Sequence, residues 1–132
     1  MNDNSFRGLH IDHVELFVPD QYAAAEWYRK VVGLEIVSAY EHWAADGPLM
    51  ISSDEGRTML ALFRGEPRGN RPTAGFHRVA FRVDGRGFLQ FLDRLSEIEI
   101  PDRNGQRLAD DQVVDHDQSW YIYFRDPQRH LL

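Results

Sequence analysis

Cysteine is absent from the 132 residues, so the chain can form neither a disulfide framework nor a thiol nucleophile. Long apolar runs are absent as well, because none approaches the ~20 residues that cross a bilayer. Residues 1–5 lack the hydrophobic core of a signal peptide. The lack of a membrane-spanning run and of a signal peptide predicts a cytoplasmic protein that has no membrane partner.

Positive charge is scarce, since the net charge is −6 and Lys30 is the single lysine among 15 basic residues. A nucleic-acid backbone would meet a repulsive field, so the composition argues against nucleic acid as a partner. Hydrophobic residues make up 42% of the chain, which is enough to build a core. Residues 1–132 are therefore expected to fold as a single domain.

An internal repeat is the strongest positive signal. Residues 13–20 read HVELFVPD and residues 77–84 read HRVAFRVD, so that each run opens with a histidine and ends with an aspartate. Each run is typical of a strand, and Asp20 and Asp84 are suited to cap a following helix. The repeat predicts two strand-helix units, each carrying one histidine that could bind a metal.

The two predicted helices superimpose when the chain is shifted by 64 positions. Their apolar residues then share the i, i+3, i+4, i+7 spacing of one buried face. In the first helix these residues are Ala24, Trp27, Tyr28 and Val31, and in the second they are Phe88, Phe91, Leu92 and Leu95. Such agreement indicates a duplicated module.

The remaining segments complete the modules. Residues 9–63 predict a first β-α-β-β-β module, residues 64–75 a linker, and residues 76–132 a second module that is incomplete at its C-terminal end. Ser119–Arg125 predicts the best-defined strand of the second module, and its apolar side chains are expected to face the core. The turn at Asp126-Pro127 is expected to lead into a further strand that is cut short at Leu132.

This architecture resembles the vicinal oxygen chelate superfamily, which includes glyoxalases, extradiol dioxygenases, fosfomycin-resistance enzymes and bleomycin-binding proteins. The resemblance covers nearly the whole chain, through residues 12–20, 27–28, 33–36, 77–83 and 123–127. It implies an α+β fold in which two βαβββ modules form a cupped mixed sheet with the helices packed outside. It also implies a divalent metal held on the concave face. Iron(II) is the favoured metal if the protein is an extradiol dioxygenase.

The usual ligands of that family are a histidine on the first strand of each module and a glutamate on the last strand. His13 and His77 match the two histidine positions, and the glutamate is expected at position 133, one residue beyond the given sequence. Strand alternation places Val14, Leu16 and Val18 toward the core, so Glu15 and Phe17 are predicted to line the substrate site beside His13.

The second histidine has two readings. The 64-residue shift makes His77 the ligand but directs Arg78 and Arg82 toward the core, which is costly for guanidinium groups. A 65-residue shift instead places Arg78 at the ligand position, where it would bind an anionic part of the substrate, and turns His77 away. A local bulge would restore His77 as the ligand.

Two residues near the C-terminus are predicted to be catalytic by the same resemblance. The segment DHDQS at residues 115–119 is similar to one that precedes an active-site tyrosine in some extradiol dioxygenases. His116 would then transfer protons near neutral pH, and Tyr123 would donate a hydrogen bond to a substrate oxygen. Tyr121 and Arg125 alternate with Tyr123 and are predicted to bind substrate. The alternative is a solvated His116 and a structural Tyr123.

Three functions therefore compete. The first is a metal-dependent enzyme acting on a small oxygen-bearing substrate, most like an extradiol, catechol-type dioxygenase. The second is a metal-free small-molecule binding protein of the bleomycin-resistance type, which the arginine reading of position 78 favours. The third is a glyoxalase-like lyase or epimerase, which Ala61 opposes because that position usually carries an acidic ligand. A homodimer is expected from the resemblance alone.

Overall fold

The protein is represented by a computed structural model, in which the structure of residues 9–65, 79–117 and 119–132 is described. The chain divides into two compact units, with unit 1 formed by residues 1–66 and unit 2 by residues 67–132. Unit 1 contains a four-stranded mixed sheet, and both units contain an α-helix. The predicted α+β class is confirmed.

The elements of unit 1 follow the order predicted for the first module. They are β1 (His13–Val18), α1 (Gln21–Val32), β2 (Glu35–Ile36), a 3-10 helix (Ser38–Ala45), β3 (Leu49–Ser52) and β4 (Met59–Arg64). The strands lie in the order β1-β4-β3-β2, with β1 parallel to β4 and the other neighbours antiparallel. A parallel pair needs a crossover connection, and the segment that contains α1 supplies part of it.

Both faces of the central strands in unit 1 are covered. On one face, Leu16, Leu49, Ile51 and Leu62 are almost fully buried, and α1 packs against β3 and β4. The core orientation predicted for Leu16 and Val18 is confirmed, since both are at most 1% exposed. The other face carries His13, Glu15 and Phe17 in β1, because these residues alternate with the core-facing ones.

Helix α1 begins and ends at clear signals. The Asp20 side chain accepts a hydrogen bond from the Ala23 amide, which is the predicted N-cap. Gly33 follows the last turn with φ of +81°, a left-handed conformation that glycine adopts without a Cβ penalty. Its amide donates to the carbonyl oxygens of Tyr28 and Arg29. These caps fix where the helix stops before β2.

Unit 2 also contains a helix that is capped by an aspartate. Helix α2 (Gly85–Arg94) begins 64 positions after α1, and Asp84 accepts a hydrogen bond from the Gly87 amide as its N-cap. A second 3-10 helix (Asp110–Gln112) and a hairpin of β5 (Val114–Asp115) and β6 (Trp120–Tyr121) follow. Both predicted aspartate caps are therefore confirmed, at the same relative position in each helix.

The strands of unit 2 are shorter than predicted. In the predicted strand Ser119–Arg125, only Trp120 and Tyr121 pair in a ladder, and Arg125 forms an isolated bridge with Leu131. Residues 79–84 form no strand, and their hydrogen bond to residue 131 runs from the Val79 amide to the Leu131 carbonyl at 3.1 Å. A strand assignment needs a continuous ladder, which these single contacts do not provide.

One side-chain prediction in this region was wrong. Trp120 was expected to face the core, but it is 61% exposed, whereas Phe124 is 7% exposed. A two-stranded hairpin buries little on either face, so alternation alone does not determine burial there. Within the described residues, no helix has the length and apolar character needed to cross a membrane.

Candidate functional site

His13 begins β1 and lies between two carboxylates. Its Nδ1 is 2.9 Å from Oδ2 of Asp12, and its Nε2 is 3.3 Å from Oε2 of Glu15. The hydrogen bond with Asp12 is the main cause that raises the pKa of His13, and desolvation opposes it; Glu15 adds to the rise. An imidazole that donates from both nitrogens is a cation, so this arrangement favours the protonated ring.

A metal ion would need a different state of this histidine. Ligation requires an unprotonated ring nitrogen, whereas both nitrogens of His13 are hydrogen-bonded to carboxylates. Across residues 9–65, 79–117 and 119–132, no three His, Asp or Glu side chains are grouped so that they could hold a metal ion. The described residues therefore do not form a complete metal site by themselves.

A buried apolar cluster lies on the same face of the sheet as His13. Phe17 is half-buried, and its ring lies 5.6 Å from that of Phe63 in β4. Glu15 is the register partner of Ala61, which is 1% exposed and packs with Met50 and Met59. The methyl group of Ala61 offers no donor atom opposite Glu15. On this face of unit 1, the predicted site residues His13, Glu15 and Phe17 thus border an apolar cluster.

In unit 2, the structure brings the two predicted catalytic residues together. The His116 Nε2 atom lies 3.0 Å from the Tyr123 hydroxyl oxygen, which is hydrogen-bond distance. The direction of this bond depends on which ring nitrogen carries the proton. The backbone fixes His116 in turn, because its amide donates to the Ser119 carbonyl at 2.9 Å between β5 and β6. The imidazole that follows β5 thus contacts the phenol that lies two residues beyond β6.

Two further predicted site residues lie near this pair. The Tyr121 ring is stacked on that of Tyr123, with centroids 6.1 Å apart and planes at 12°, and it meets the His116 ring edge-on at 4.9 Å. Tyr121 is 40% exposed, so part of its ring can contact a ligand. The Arg125 amide donates to the Pro101 carbonyl, while its Nε atom is buried without a hydrogen-bond partner among the described residues.

Sequence reasoning missed a cation next to the same tyrosine. The Cζ atom of Arg103 lies 4.9 Å from the centroid of the Tyr123 ring, a cation–π distance. Residues 102–105 read DRNG, a typical turn signal that could have predicted the turn. No sequence pattern indicates which ring an arginine in that turn will contact.

A buried ionisable pair was also missed. Nδ1 of His130 lies 2.7 Å from Oδ2 of Asp126, and both side chains are almost fully buried. Oδ1 of Asp126 accepts from the amides of Gln128 and His130, so the carboxylate closes the final turn. The Asp-Pro turn was predicted, but the pairing of its aspartate with His130 was not. This pair stabilises the turn that follows Arg125.

The remaining predicted site residues, His77 and Arg78, lie outside the described residues. Which of the two residues occupies the ligand position therefore stays a prediction.

Comparison with known proteins identifies the fold. Residues 10–132 match the family model described as the Glyoxalase/Bleomycin resistance protein/Dioxygenase superfamily. No curated protein sequence is a significant match to the chain.

Several solved structures are similar to this chain over nearly its whole length. Oxidase ChaP-H2 is 20% identical with a TM-score of 0.65, and the match covers 96% of this chain and 91% of that one. Lactoylglutathione lyase from Agrobacterium tumefaciens is 23% identical with a TM-score of 0.63, covering 95% and 91%. The fosfomycin resistance protein FosX from Mesorhizobium loti is 17% identical with a TM-score of 0.60, covering 96% and 89%. At these identities the likeness shows a shared fold.

Proposed function

The chain belongs to the Glyoxalase/Bleomycin resistance protein/Dioxygenase superfamily, and from this membership we propose that it is a metal-dependent enzyme acting on a small oxygen-bearing substrate. The reaction we propose is most like that of an extradiol, catechol-type dioxygenase. The fold alone does not select this reaction, since similar structures include an oxidase, a lyase and a fosfomycin resistance protein. The choice depends on the side chains of unit 2.

The observation that supports the proposal is the 3.0 Å contact between His116 and Tyr123. When Nε2 is unprotonated, it accepts the phenol hydrogen, which increases the electron density on the phenol oxygen. When Nε2 carries a proton, the phenol oxygen accepts a hydrogen bond from Nε2–H, and the phenol O–H can donate a hydrogen bond to a substrate oxygen. The pair can thus hold or deliver one proton at the Tyr123 oxygen, as general acid–base chemistry requires.

The other predicted site residues are proposed to contact substrate. On unit 2, the exposed part of the Tyr121 ring offers a surface on which an aromatic substrate can stack. Arg125 and Arg78 are proposed to bind anionic or oxygen-bearing groups. On unit 1, Glu15 and the half-buried Phe17 are proposed to contact substrate beside His13.

Members of this superfamily typically bind a divalent metal. We propose iron(II) for this protein, with His13 and His77 among its ligands. A bound divalent ion would supply Lewis-acid polarisation of substrate oxygens, and iron would add redox chemistry. For His13 to act as a ligand, the metal must replace its hydrogen bond to Asp12 or to Glu15, and the ligating nitrogen must be unprotonated.

A metal-free binding protein is the second candidate. It is favoured by the surroundings of His13, because carboxylates engage both ring nitrogens and a metal would have to displace one of them. The aromatic rings of Tyr121 and Tyr123 would then hold a ligand without converting it. A lyase or epimerase is a weaker candidate, because Ala61 offers no ligand atom opposite Glu15.

Metal analysis and a cleavage assay separate these functions. Protein purified anaerobically is analysed for iron, zinc and manganese and is then assayed for oxygen-dependent ring cleavage of catechols. The matched variants are His13→Ala, His77→Ala and His10→Ala, of which His10 is an exposed histidine outside the predicted site. Stoichiometric iron, lost in the first two variants and retained in the third, would support the enzyme.

The contrary result is equally clear. A wild-type protein that binds no metal under these conditions and cleaves no catechol would overturn the proposed dioxygenase. If the same protein bound aromatic ligands with equal affinity in the wild type and in His13→Ala, the metal-free binding function would replace it.

A further inference from the structure

Arg103 stands out in unit 2 because a charged side chain faces a predicted catalytic ring. Its Cζ atom is 4.9 Å from the Tyr123 ring centroid, and the hydroxyl of that ring contacts His116. Arg103 is exposed, so a ligand can reach it. A guanidinium carries several N–H donors in its plane, and these match the geometry of a carboxylate.

The turn that carries Arg103 is held by the buried side chain of Asp102. Its Oδ1 accepts from the amides of Asn104 and Gln106 at 2.8 and 2.9 Å, and its backbone closes the turn through Gly105 and Gln106. Its Oδ2 accepts from Nε2 of Gln112 at 3.1 Å. Both oxygens of this carboxylate thus accept hydrogen bonds, one from the amides of the turn and the other from Gln112. Neither forms a salt bridge with Arg103.

Gln112 connects this turn to the segment that leads to His116. Its Oε1 accepts from the Ala109 amide at 2.8 Å while its Nε2 donates to Asp102. Residues 110–112 form the 3-10 helix that precedes β5, and His116 follows β5 directly. The turn with Arg103 and the hairpin with His116 are therefore joined by one side chain, which holds the cation close to the catalytic pair.

Arg103 forms no salt bridge in the described part of the chain, and its charge adds to the lowering of the Asp102 pKa that the hydrogen bond from Gln112 mainly causes. The ion pairs there involve His13, Arg29 and His130, and none involves Arg103. An exposed cation near a predicted reactive pair, whose neighbouring carboxylate is engaged in other hydrogen bonds, is suited to bind an anion.

The geometry points to Arg103 as a specificity-determining residue that binds a carboxylate on the substrate, so that the preferred substrates are aromatic carboxylates. This inference rests on the proposed function, since it takes His116 and Tyr123 as the reacting end of the site. The aromatic part of such a ligand would contact the exposed Tyr121 ring, and its anionic group would meet the Arg103 guanidinium.

A pair of ligands that differ by one carboxylate tests the inference directly. Binding of 3,4-dihydroxybenzoate and of catechol to the full chain is measured by calorimetry, without oxygen. The wild type is compared with Arg103→Gln and with Arg86→Gln, a control that removes an exposed arginine from helix α2 of the same unit. Because charge-assisted hydrogen bonds are strong, we expect 3,4-dihydroxybenzoate to bind about tenfold or more tightly than catechol in the wild type.

In Arg103→Gln, the Kd of the carboxylated ligand should rise to that of catechol, while the Kd of catechol itself stays unchanged and shows that the site is intact. Arg86→Gln should behave as the wild type. Equal affinity of the wild type for both ligands, or an equal loss of both in Arg103→Gln, would overturn the inference.

These binding measurements, combined with the catechol-cleavage assay, distinguish this inference from the proposed reaction. Carboxylate preference that depends on Arg103 in a protein that cleaves no catechol would retain the binding role and reject the dioxygenase. Ring cleavage without any carboxylate preference would retain the dioxygenase and reject the role of Arg103.

Discussion

The two units each present a histidine that was predicted to be functional, but in contrasting surroundings. In unit 1, both ring nitrogens of His13 are hydrogen-bonded to carboxylates, and its pKa is raised, chiefly through Asp12. In unit 2, Nε2 of His116 meets the neutral hydroxyl of Tyr123. The first environment stabilises a charge, whereas the second allows a proton to move between partners. Residue type alone therefore does not determine what each histidine can do.

The two helices show a similar contrast in packing. Each begins with an aspartate cap at the same relative position, so their N-termini are built from local sequence. Helix α1 buries five residues, including Tyr28, whereas helix α2 buries none. Helix α1 packs against the sheet of unit 1, and in the described part of unit 2 the strands form a hairpin only. Capping is thus local, but burial depends on the partner surface.

The largest effect on stability is expected for the side chains with which the two helices pack against the rest of the protein. Tyr28 is 0% exposed, so Tyr28→Ala should lower the free energy of unfolding by about 3–5 kcal/mol through lost burial and a cavity. Phe91 is half-buried against Phe124, with rings 5.3 Å apart, so Phe91→Ala should cost about 1–2 kcal/mol. Urea unfolding measures both, with Leu89→Ala, at a 59% exposed site of α2, as the control. Equal costs for Tyr28 and Phe91 would contradict the contrast.

The next effect concerns the reactive pair of unit 2. Tyr123→Phe keeps the ring on which Arg103 and Tyr121 pack but removes the hydroxyl that contacts His116. We expect kcat for the proposed ring cleavage to fall about a hundredfold, because a proton donor at the reacting oxygen is lost. His116→Gln should give a loss of similar size, and the double variant should be little worse than either single one. Additive losses would indicate that the two residues act separately.

Much of unit 1 could be predicted because its signals are local and periodic. Alternation in β1 assigned Leu16 and Val18 to the core, and the aspartate at position 20 marked the start of α1. The β-α-β-β-β order follows from such segments, since each has its own period and its own turn residues.

The rest could not be predicted because it depends on contacts between distant residues. The alternation of apolar and polar residues assigned Trp120 to the core. It lies on a two-stranded hairpin that buries little on either face, so it is exposed. The contact of Arg103 with Tyr123 joins residues 20 positions apart, through a turn whose direction is set by Asp102 and Gln112. Neither period nor composition encodes such a path.

The two helix caps allow a smaller and better matched comparison. Asp20→Ala and Asp84→Ala each remove one side-chain acceptor for a backbone amide in the first turn. We expect each to lower the free energy of unfolding by about 1 kcal/mol. Asp20→Ser and Asp84→Ser should restore most of the loss, because serine also caps. The two losses should be alike although the helices differ in burial, and a large difference between them would show that capping and burial are coupled.

The smallest effect tests the charge of His13. Its folded-state pKa lies above the ordinary value of 6.5, so the stability that its ion pairs contribute is fully present below that value. This contribution is lost as the pH rises through the folded-state pKa. His13→Gln should therefore destabilise the protein more at about pH 5.5 than at about pH 8.5. Because the groups are partly exposed, the difference should stay below about 1 kcal/mol and shrink with added salt. Urea unfolding at both pH values measures it, with His10→Gln as the exposed control. If His13→Gln instead destabilised the protein more at the higher pH, folding would lower the pKa of His13, and the carboxylates beside it would not stabilise its charge.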